Sequence, residues 1–332
     1  MPTIGFHASH EQISPGRLLK DVQLAEQAGF DAAMCSDHIE PWSARQGHSG
    51  FAWSWLGAAL ATTGLRFGVV TAPGQRYHPA IIAHASATLA DMFPGRFWMA
   101  PGSGEYMNEH ITGEAWPAKA VRQQRLEEAV QLIRDLHAGK EVTRDGLVKV
   151  QQARLWDVPE IKPPLIAPAV SVETARRSAA WADGLVTVNQ PHAKLKEMLA
   201  AYRDAGGRGK AVLQVHLSWA ETEADAVAVA LDQWRTNVFP PPIPWDLPTA
   251  AHFDAVSSEV GEEQVRKVVN VAADPGQHAQ WLAEYLELGF EELYLHFVGQ
   301  KQAPFIGAFA EHVLPQLRQP DGGGRPQQEV SA

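Results

Sequence analysis

A (β/α)8 TIM barrel with inserted segments is the fold class the sequence predicts, and three observations predict it. Eight short apolar runs recur along the 332 residues, helical patterns separate nearly all of them, and no linker divides the chain. A doubly wound parallel sheet shares the same alternation and is the second choice. The length suits one large α/β domain or two modest ones.

The first run, "TIGFHAS" (3–9), is followed by Ser14 and Pro15, an N-cap and a proline at the first helical position. Leu18, Leu19, Val22, Ala25 and Ala28 then make one helical face, which Gly29 ends. "FDAAMCS" (30–36), "LRFGVVTA" (65–72) and "RFWMAPGS" (96–103) read as the next three strands, with helices over 52–62 and 79–92 between them. After a long helix over 116–138, "KEVTRDGLVKVQQARLW" (140–156) reads as a hairpin turning at 144–146 and interrupts the alternation. "KPPLIAPAV" (162–170), "DGLVTVN" (183–189) and "AVLQVHLSWA" (211–220) are the fifth to seventh strands, with helices over 173–181 and 194–205. A proline-rich insertion, "FPPPIPWDLP" (239–248), with helical stretches beside it, precedes the eighth strand, "EELYLHFV" (291–298). The expected organisation is one domain over 1–318, with insertions near 139–160 and 238–275 and a disordered tail at 319–332.

Composition is that of a globular protein, 45% hydrophobic and 20% charged, with no apolar run that would cross a bilayer and no start resembling a signal peptide. Cytoplasm is the default expectation. Cys35 is the only cysteine, so intrachain disulfides and thiolate clusters are excluded, and its place in an apolar run suits packing better than nucleophilic chemistry. A net charge of −10 without any Lys/Arg cluster argues against nucleic acid and leaves a small molecule as the expected partner.

In a barrel of this kind the chemistry sits after the strands. His7 and Ser9 follow the first strand, Asp37, His38 and Trp42 the second, and Thr71, Gln75, Arg76 and Tyr77 the third. Ser103, Glu105 and Asn108 follow the fourth, Asn189 and Gln190 the sixth, and His296 lies near the end of the eighth. Such a rim of His, Asp, Glu and Asn is what a catalytic pocket needs. Each member also has a plainer reading, as a turn cap, a buried imidazole or, for Trp42, Trp53 and Trp55, a core aromatic. Gly102 and Gly104 in "PGSGEYMNEH" (101–110) allow close backbone approach to a flat or anionic ligand. The histidines at 7, 10, 38, 48, 78, 110 and 296 raise a metal site, but none of them forms a helical i, i+4 pair and no metal ligand set is assigned.

At "CSDHIEPW" (35–42), "APGQRYHPAIIAHASATLADMFPGRFWMAPGSGEYMNE" (72–109) and "EELYLHFVG" (291–299) the chain resembles the luciferase-like monooxygenase superfamily. Within it, the resemblance is to the branch of glucose-6-phosphate and secondary-alcohol dehydrogenases that depend on the deazaflavin coenzyme F420. It covers about residues 3–318 and implies a flavin- or deazaflavin-dependent oxidoreductase, acting by hydride transfer or monooxygenation, and a homodimer. By that resemblance His38 is the general base, Glu105 the general acid and Trp42 an aromatic wall. Asp37, Thr71, Gly104 and Asn108 become cofactor contacts, with Ala169, Ser171 and Asn189 near the cofactor phosphate and Val69 and Val70 joined by a non-prolyl cis bond behind the ring.

Two departures stand out. Val268 takes the place where the sugar-phosphate enzymes hold an arginine, which counts against a sugar-phosphate substrate, and "APAVSVETA" (167–175) replaces a glycine pair, leaving Ser171 and the helix after it as the anion site. "HASHEQ" (7–12) and "HSGFAWSW" (48–55) resemble a subgroup suspected of using ordinary flavin, which sets FMN ahead of F420 as the expected cofactor. A metal-dependent barrel hydrolase and a non-catalytic flavin-binding protein are the alternatives. The proline-rich insertion with Trp245 reads equally as a lid or as surface packing.

Overall fold

In the computed structural model, which describes residues 1–318, β1 (Thr3–Ala8), β2 (Ala32–Ser36), β3 (Arg66–Thr71) and β4 (Phe97–Pro101) alternate with α1 (Pro15–Gln27), α2 (Ala52–Thr62) and α3 (Pro79–Met92). The short α4 (Tyr106–Glu109) and the long α5 (Lys119–His137) lead to an antiparallel hairpin, β5 (Val142–Asp145) and β6 (Lys149–Ala153). Then come β7 (Ala167–Pro168), α6 (Val172–Ser178), β8 (Gly184–Val188), α7 (His192–Asp204), β9 (Lys210–Ser218) and α8 (Glu223–Trp234). Three short helices, α9 (Ile243–Asp246), α10 (Ala250–Val256) and α11 (Glu262–Arg266), and β10 (Asn270–Val271) fill the insertion. The chain closes with α12 (Pro275–Glu287), β11 (Glu292–Phe297), α13 (Gln302–His312) and α14 (Leu314–Arg318). The expected tail at 319–332 lies outside the described residues.

The main sheet runs in the order β4, β3, β2, β1, β11, β9, β8, β7, with every pair parallel. A parallel bridge between Met99 and Leu165, with Ile166 N–H donating to the Met99 carbonyl at 2.8 Å, joins the two ends. The sheet is thus nearly closed into a barrel. Helices cover its outside, so strands such as β11 are buried along their whole length.

Large aromatic rings fill the barrel interior. Trp98 and Tyr294 meet edge to face at 6.0 Å, among Met34, Ala100 and Ile166. Gly68 and Gly5 make room for them, since a Cβ on Gly68 would lie 2.0 Å from the Trp98 indole and one on Gly5 2.4 Å from the Tyr294 ring. Gly68→Ala is therefore expected to destabilise the chain by roughly 1–3 kcal/mol through overpacking, read as a lower urea midpoint with an unchanged slope.

Three expectations need correction. The fifth strand shrinks from 162–170 to Ala167–Pro168, because Pro163, Pro164 and Pro168 have no N–H to give a ladder. The cis bond expected between Val69 and Val70 is not present, and among the described residues Pro241–Pro242 is the one cis bond. Val69 and Val70 instead sit in register with Cys35 and Ser36 on one side and Met99 and Ala100 on the other, where the regular ladder takes trans peptides. Val69 also faces the helices and not the cavity, since strand neighbours point to opposite sides. No helix among the described residues is long and apolar enough to cross a membrane.

Candidate active site

A cavity of about 1030 Å³ opens at the C-terminal ends of the strands. It has the size of a site for a cofactor together with a small substrate. Its wall brings together His38 and Trp42 from the loop after β2, Thr71 at the end of β3, Glu105 from the loop after β4 and Ser171 before α6, and the proline-rich insertion adds Phe239, Pro241 and Trp245 to the lining. Trp116 of the α5 approach donates to Asp246 Oδ1 at 2.9 Å, so the insertion is tied to the segment before α5.

His38 sits between two carboxylates. Its Nδ1 lies 2.6 Å from Glu11 Oε1 and its Nε2 3.5 Å from Glu105 Oε2. Burial alone would lower the His38 pKa, but the Glu11 carboxylate and then Glu105 hold it above the usual histidine value. Burial likewise opposes the charge on Glu11, yet the facing His38 wins and brings that carboxyl down to about 2. The Glu11 carboxylate facing Nδ1 favours a proton on that nitrogen and leaves Nε2 as the nitrogen on the Glu105 side. Burial raises the Glu105 pKa, with His38 pulling the other way, which favours a protonated carboxyl there. Glu11 was not foreseen. The signal was available, since it follows β1 in the same rim region as His7 and Ser9, and Ser9 Oγ donates to its Oε2 at 2.8 Å.

The remaining polar residues mostly hold this centre in place. Asp37 Oδ2 accepts from Trp53 Nε1 at 3.2 Å and Thr71 Oγ1 at 2.9 Å, and Arg76 lies 3.4 Å from the same oxygen. Trp53 is thus a core aromatic with a second task, while Trp55 is core alone. Asn108 accepts from the Ile39 N–H at 2.9 Å and donates to Glu105 at 3.2 Å, tying the β2 loop to the β4 loop. Asn189 is also engaged at both ends, by the His216 N–H at 2.9 Å and the Val268 carbonyl at 3.3 Å. All three line the cavity, but their hydrogen bonds run into the protein. Glu109, buried beneath, accepts the Gln75 and Arg76 N–H groups at 2.5 and 2.6 Å and shapes the β3 loop. Trp42 stands edge-on to His38 at 5.3 Å as a wall.

Other parts of the wall suit a flat ring with an anionic tail. Val70, Ala169 and Gly104 present little bulk, and Gly104 has φ +85°, a left-handed turn that a side chain would strain. Ser171 caps α6 through Thr174 N–H at 3.3 Å, and Lys194 lines the same region with no carboxylate within 4.0 Å among the described residues. These residues fit a flavin-type cofactor, with Gly104, Val70 and Ala169 beside the ring and Ser171, Thr174 and Lys194 toward a phosphate. No group of three or more His, Cys, Asp or Glu among the described residues is arranged to hold a metal ion. Cys35 is buried, and burial raises its thiol pKa well above the ordinary value, so it is a packing residue.

A barrel with a deep C-terminal cavity, a histidine poised between carboxylates and room for a flat anionic ligand defines a cofactor-using barrel enzyme. The chain belongs to the luciferase-like monooxygenase family, whose profile matches residues 2–292. Its place among the flavin- and deazaflavin-dependent oxidoreductases follows from that membership. It is 33% identical over 327 residues to an F420-dependent glucose-6-phosphate dehydrogenase of Microbacterium testaceum, covering 95% of this chain and 97% of that one. It is 33% identical to an F420-dependent hydroxymycolic acid dehydrogenase of Mycobacterium tuberculosis, covering 95% and 88%. Among solved structures, an F420-dependent secondary alcohol dehydrogenase in complex with an F420-acetone adduct superposes with a TM-score of 0.89 at 30% identity, covering 96% and 99%.

Proposed function

We propose that the chain is a coenzyme F420-dependent dehydrogenase that oxidises a carbinol to a carbonyl, with His38 as general base. The observation that carries this reading is the placing of His38 in the cavity wall with Nδ1 2.6 Å from the buried Glu11 carboxylate and Nε2 3.5 Å from Glu105. When bound, the deazaflavin ring supplies a two-electron acceptor for the hydride of the carbinol carbon. The protein does the rest. His38 Nε2 takes the hydroxyl proton, and Glu11 stabilises the imidazolium that results. Glu105, whose pKa burial raises, is placed by Asn108 to serve as the general acid toward the reacting oxygen or the ring. Trp42 and the insertion restrict water at the mouth.

The sequence sets FMN ahead of F420, whereas the relatives at 30–33% identity carry F420 in their names and so support the reverse order. Parallel fluorescence titrations of the purified chain with F420 and FMN test this. F420 is expected to bind at about micromolar Kd and FMN at least about tenfold more weakly. Binding of FMN alone would reverse the assignment.

A further inference from the structure

The loop that carries His38 is not held by the barrel alone. Residues 37–51, between β2 and α2, form neither helix nor strand, so their shape depends on what grips them. At its start the barrel and the adjoining loops do this, through Trp53 and Thr71 on Asp37 and through Asn108 on the Ile39 N–H. From Glu40 to Ala44 the grip passes to α10 of the insertion. Among the described residues, the hydrogen bonds that 40–44 make outside the loop go to that helix.

This grip closes on both sides of Trp42. The Ala250 N–H, at the start of α10, donates to Glu40 Oε2 at 2.9 Å. The Asp254 carboxylate accepts the Ser43 hydroxyl at 2.6 Å, the Ala44 N–H at 2.9 Å and the Arg45 guanidinium at 3.0 Å. Between these two grips the buried Phe253 ring stands edge-on to Trp42 at 5.2 Å, and Trp42 in turn stands edge-on to His38 at 5.3 Å. The Trp42 N–H donates to Gln46 Oε1 at 2.8 Å, and Gln46 Nε2 donates to the Gln233 carbonyl of α8 at 2.9 Å. Asp254 thus spends its carboxylate on the loop after β2 and not on the insertion to which it belongs.

We infer that Asp254 and Phe253 are positioning residues: acting through Trp42, they fix the wall against which His38 works. A carboxylate suits this task because its two oxygens take donors from three consecutive residues, one of them charged, and so hold the backbone beside Trp42 in one geometry. The Phe253 ring then leaves the indole one edge-to-face orientation. Without them the loop from Glu40 to Arg45 would keep its ends and lose its middle, and the indole could turn away from the imidazole. The kinetic consequence rests on the proposed dehydrogenase reading, whereas the placing of Trp42 does not.

The test uses the full chain labelled with 5-fluorotryptophan, in which Trp42→Phe identifies the fluorine resonance of Trp42. Asp254→Ala and Phe253→Leu are each expected to shift or broaden that resonance while Trp281 of α12 stays in place. Asp254→Asn keeps one carbonyl oxygen and should fall between the unmodified chain and Asp254→Ala. The His38 Hε1 proton resonance, assigned with His38→Ala, should move in the same variants, because the Trp42 ring current acts on it. With F420 and a carbinol, kcat/KM should drop by about tenfold to 10²-fold in Asp254→Ala, the usual cost of a small misplacement beside the reacting atoms. Either variant decides if the other does not fold. A lower Tm with the Trp42 and His38 resonances in place, or displaced resonances with unchanged kcat/KM, would overturn the inference. A chain that reduces F420 with no carbinol would count against the dehydrogenase reading, and the two resonances would still decide whether α10 places Trp42.

Discussion

Replacing His38 with alanine is expected to slow carbinol oxidation by about 10²–10⁴-fold, the usual worth of a positioned general base. Coenzyme affinity should change by less than about tenfold, because Ser171, Thr174 and Lys194, the residues suited to the phosphate, belong to α6 and α7 and not to the β2 loop. The pH profile makes the assignment specific. A base works in its deprotonated form, and Glu11 with Glu105 holds the His38 pKa above 6.5, so kcat/KM should rise with pH through a limb above that value. Glu11→Gln keeps a polar contact but removes the charge, so the limb should move to lower pH while the plateau falls. An alanine variant with full activity, or a limb that stays in place in Glu11→Gln, would remove His38 from the proton path.

The sequence made the barrel legible because its strands are buried on both faces and its helices are amphipathic. Ala52–Thr62 and Pro79–Met92 fall at the expected bounds, the latter opening on a proline that follows the capping His78. Asp37 and His38 were legible for a related reason, since polar residues at the end of an apolar run mark a rim. What escaped was pairing. Nothing in "HASHEQ" tells that Glu11 will face His38, because only the β1–β2 register brings them together. Nor can a sequence show that the Asn108 and Asn189 amides spend both ends on protein partners. Val69 is different, because the two-residue period of a strand was enough to put it on the opposite side from Val70. His216 reads as part of an apolar run while His296 reads as a rim residue, and their meeting with His7 follows from strand order alone.

Those histidines set the second large effect, an abrupt loss of stability in mild acid. Burial pushes His7, His10, His137 and His278 down to about 4 and His216 to about 3. The unfolded chain takes up these protons near 6.5, so between that pH and about 4 it binds more protons than the folded chain. Stability is therefore fully present above 6.5 and is lost as pH falls toward 4, at up to roughly 1.4 kcal/mol per pH unit for each histidine. Glu11 adds to the loss at lower pH, because its carboxyl at about 2 must also be protonated in the unfolded chain first. His38 works in the opposite direction, since its raised pKa favours the folded state below 6.5, and so do Asp21, Glu105 and Glu109, whose carboxyls burial raises, but the lowered histidines outnumber them. With typical domain stabilities of about 5–15 kcal/mol, cooperative unfolding is expected before pH 4. Urea midpoints measured from pH 7 to 5 should fall steeply, and His137→Gln, remote from the cavity and paired only with Ser86 and the Ala83 carbonyl, should flatten that slope by about one proton. A slope below one proton for the unmodified chain would mean that the buried histidines are hydrated or charged in the folded state.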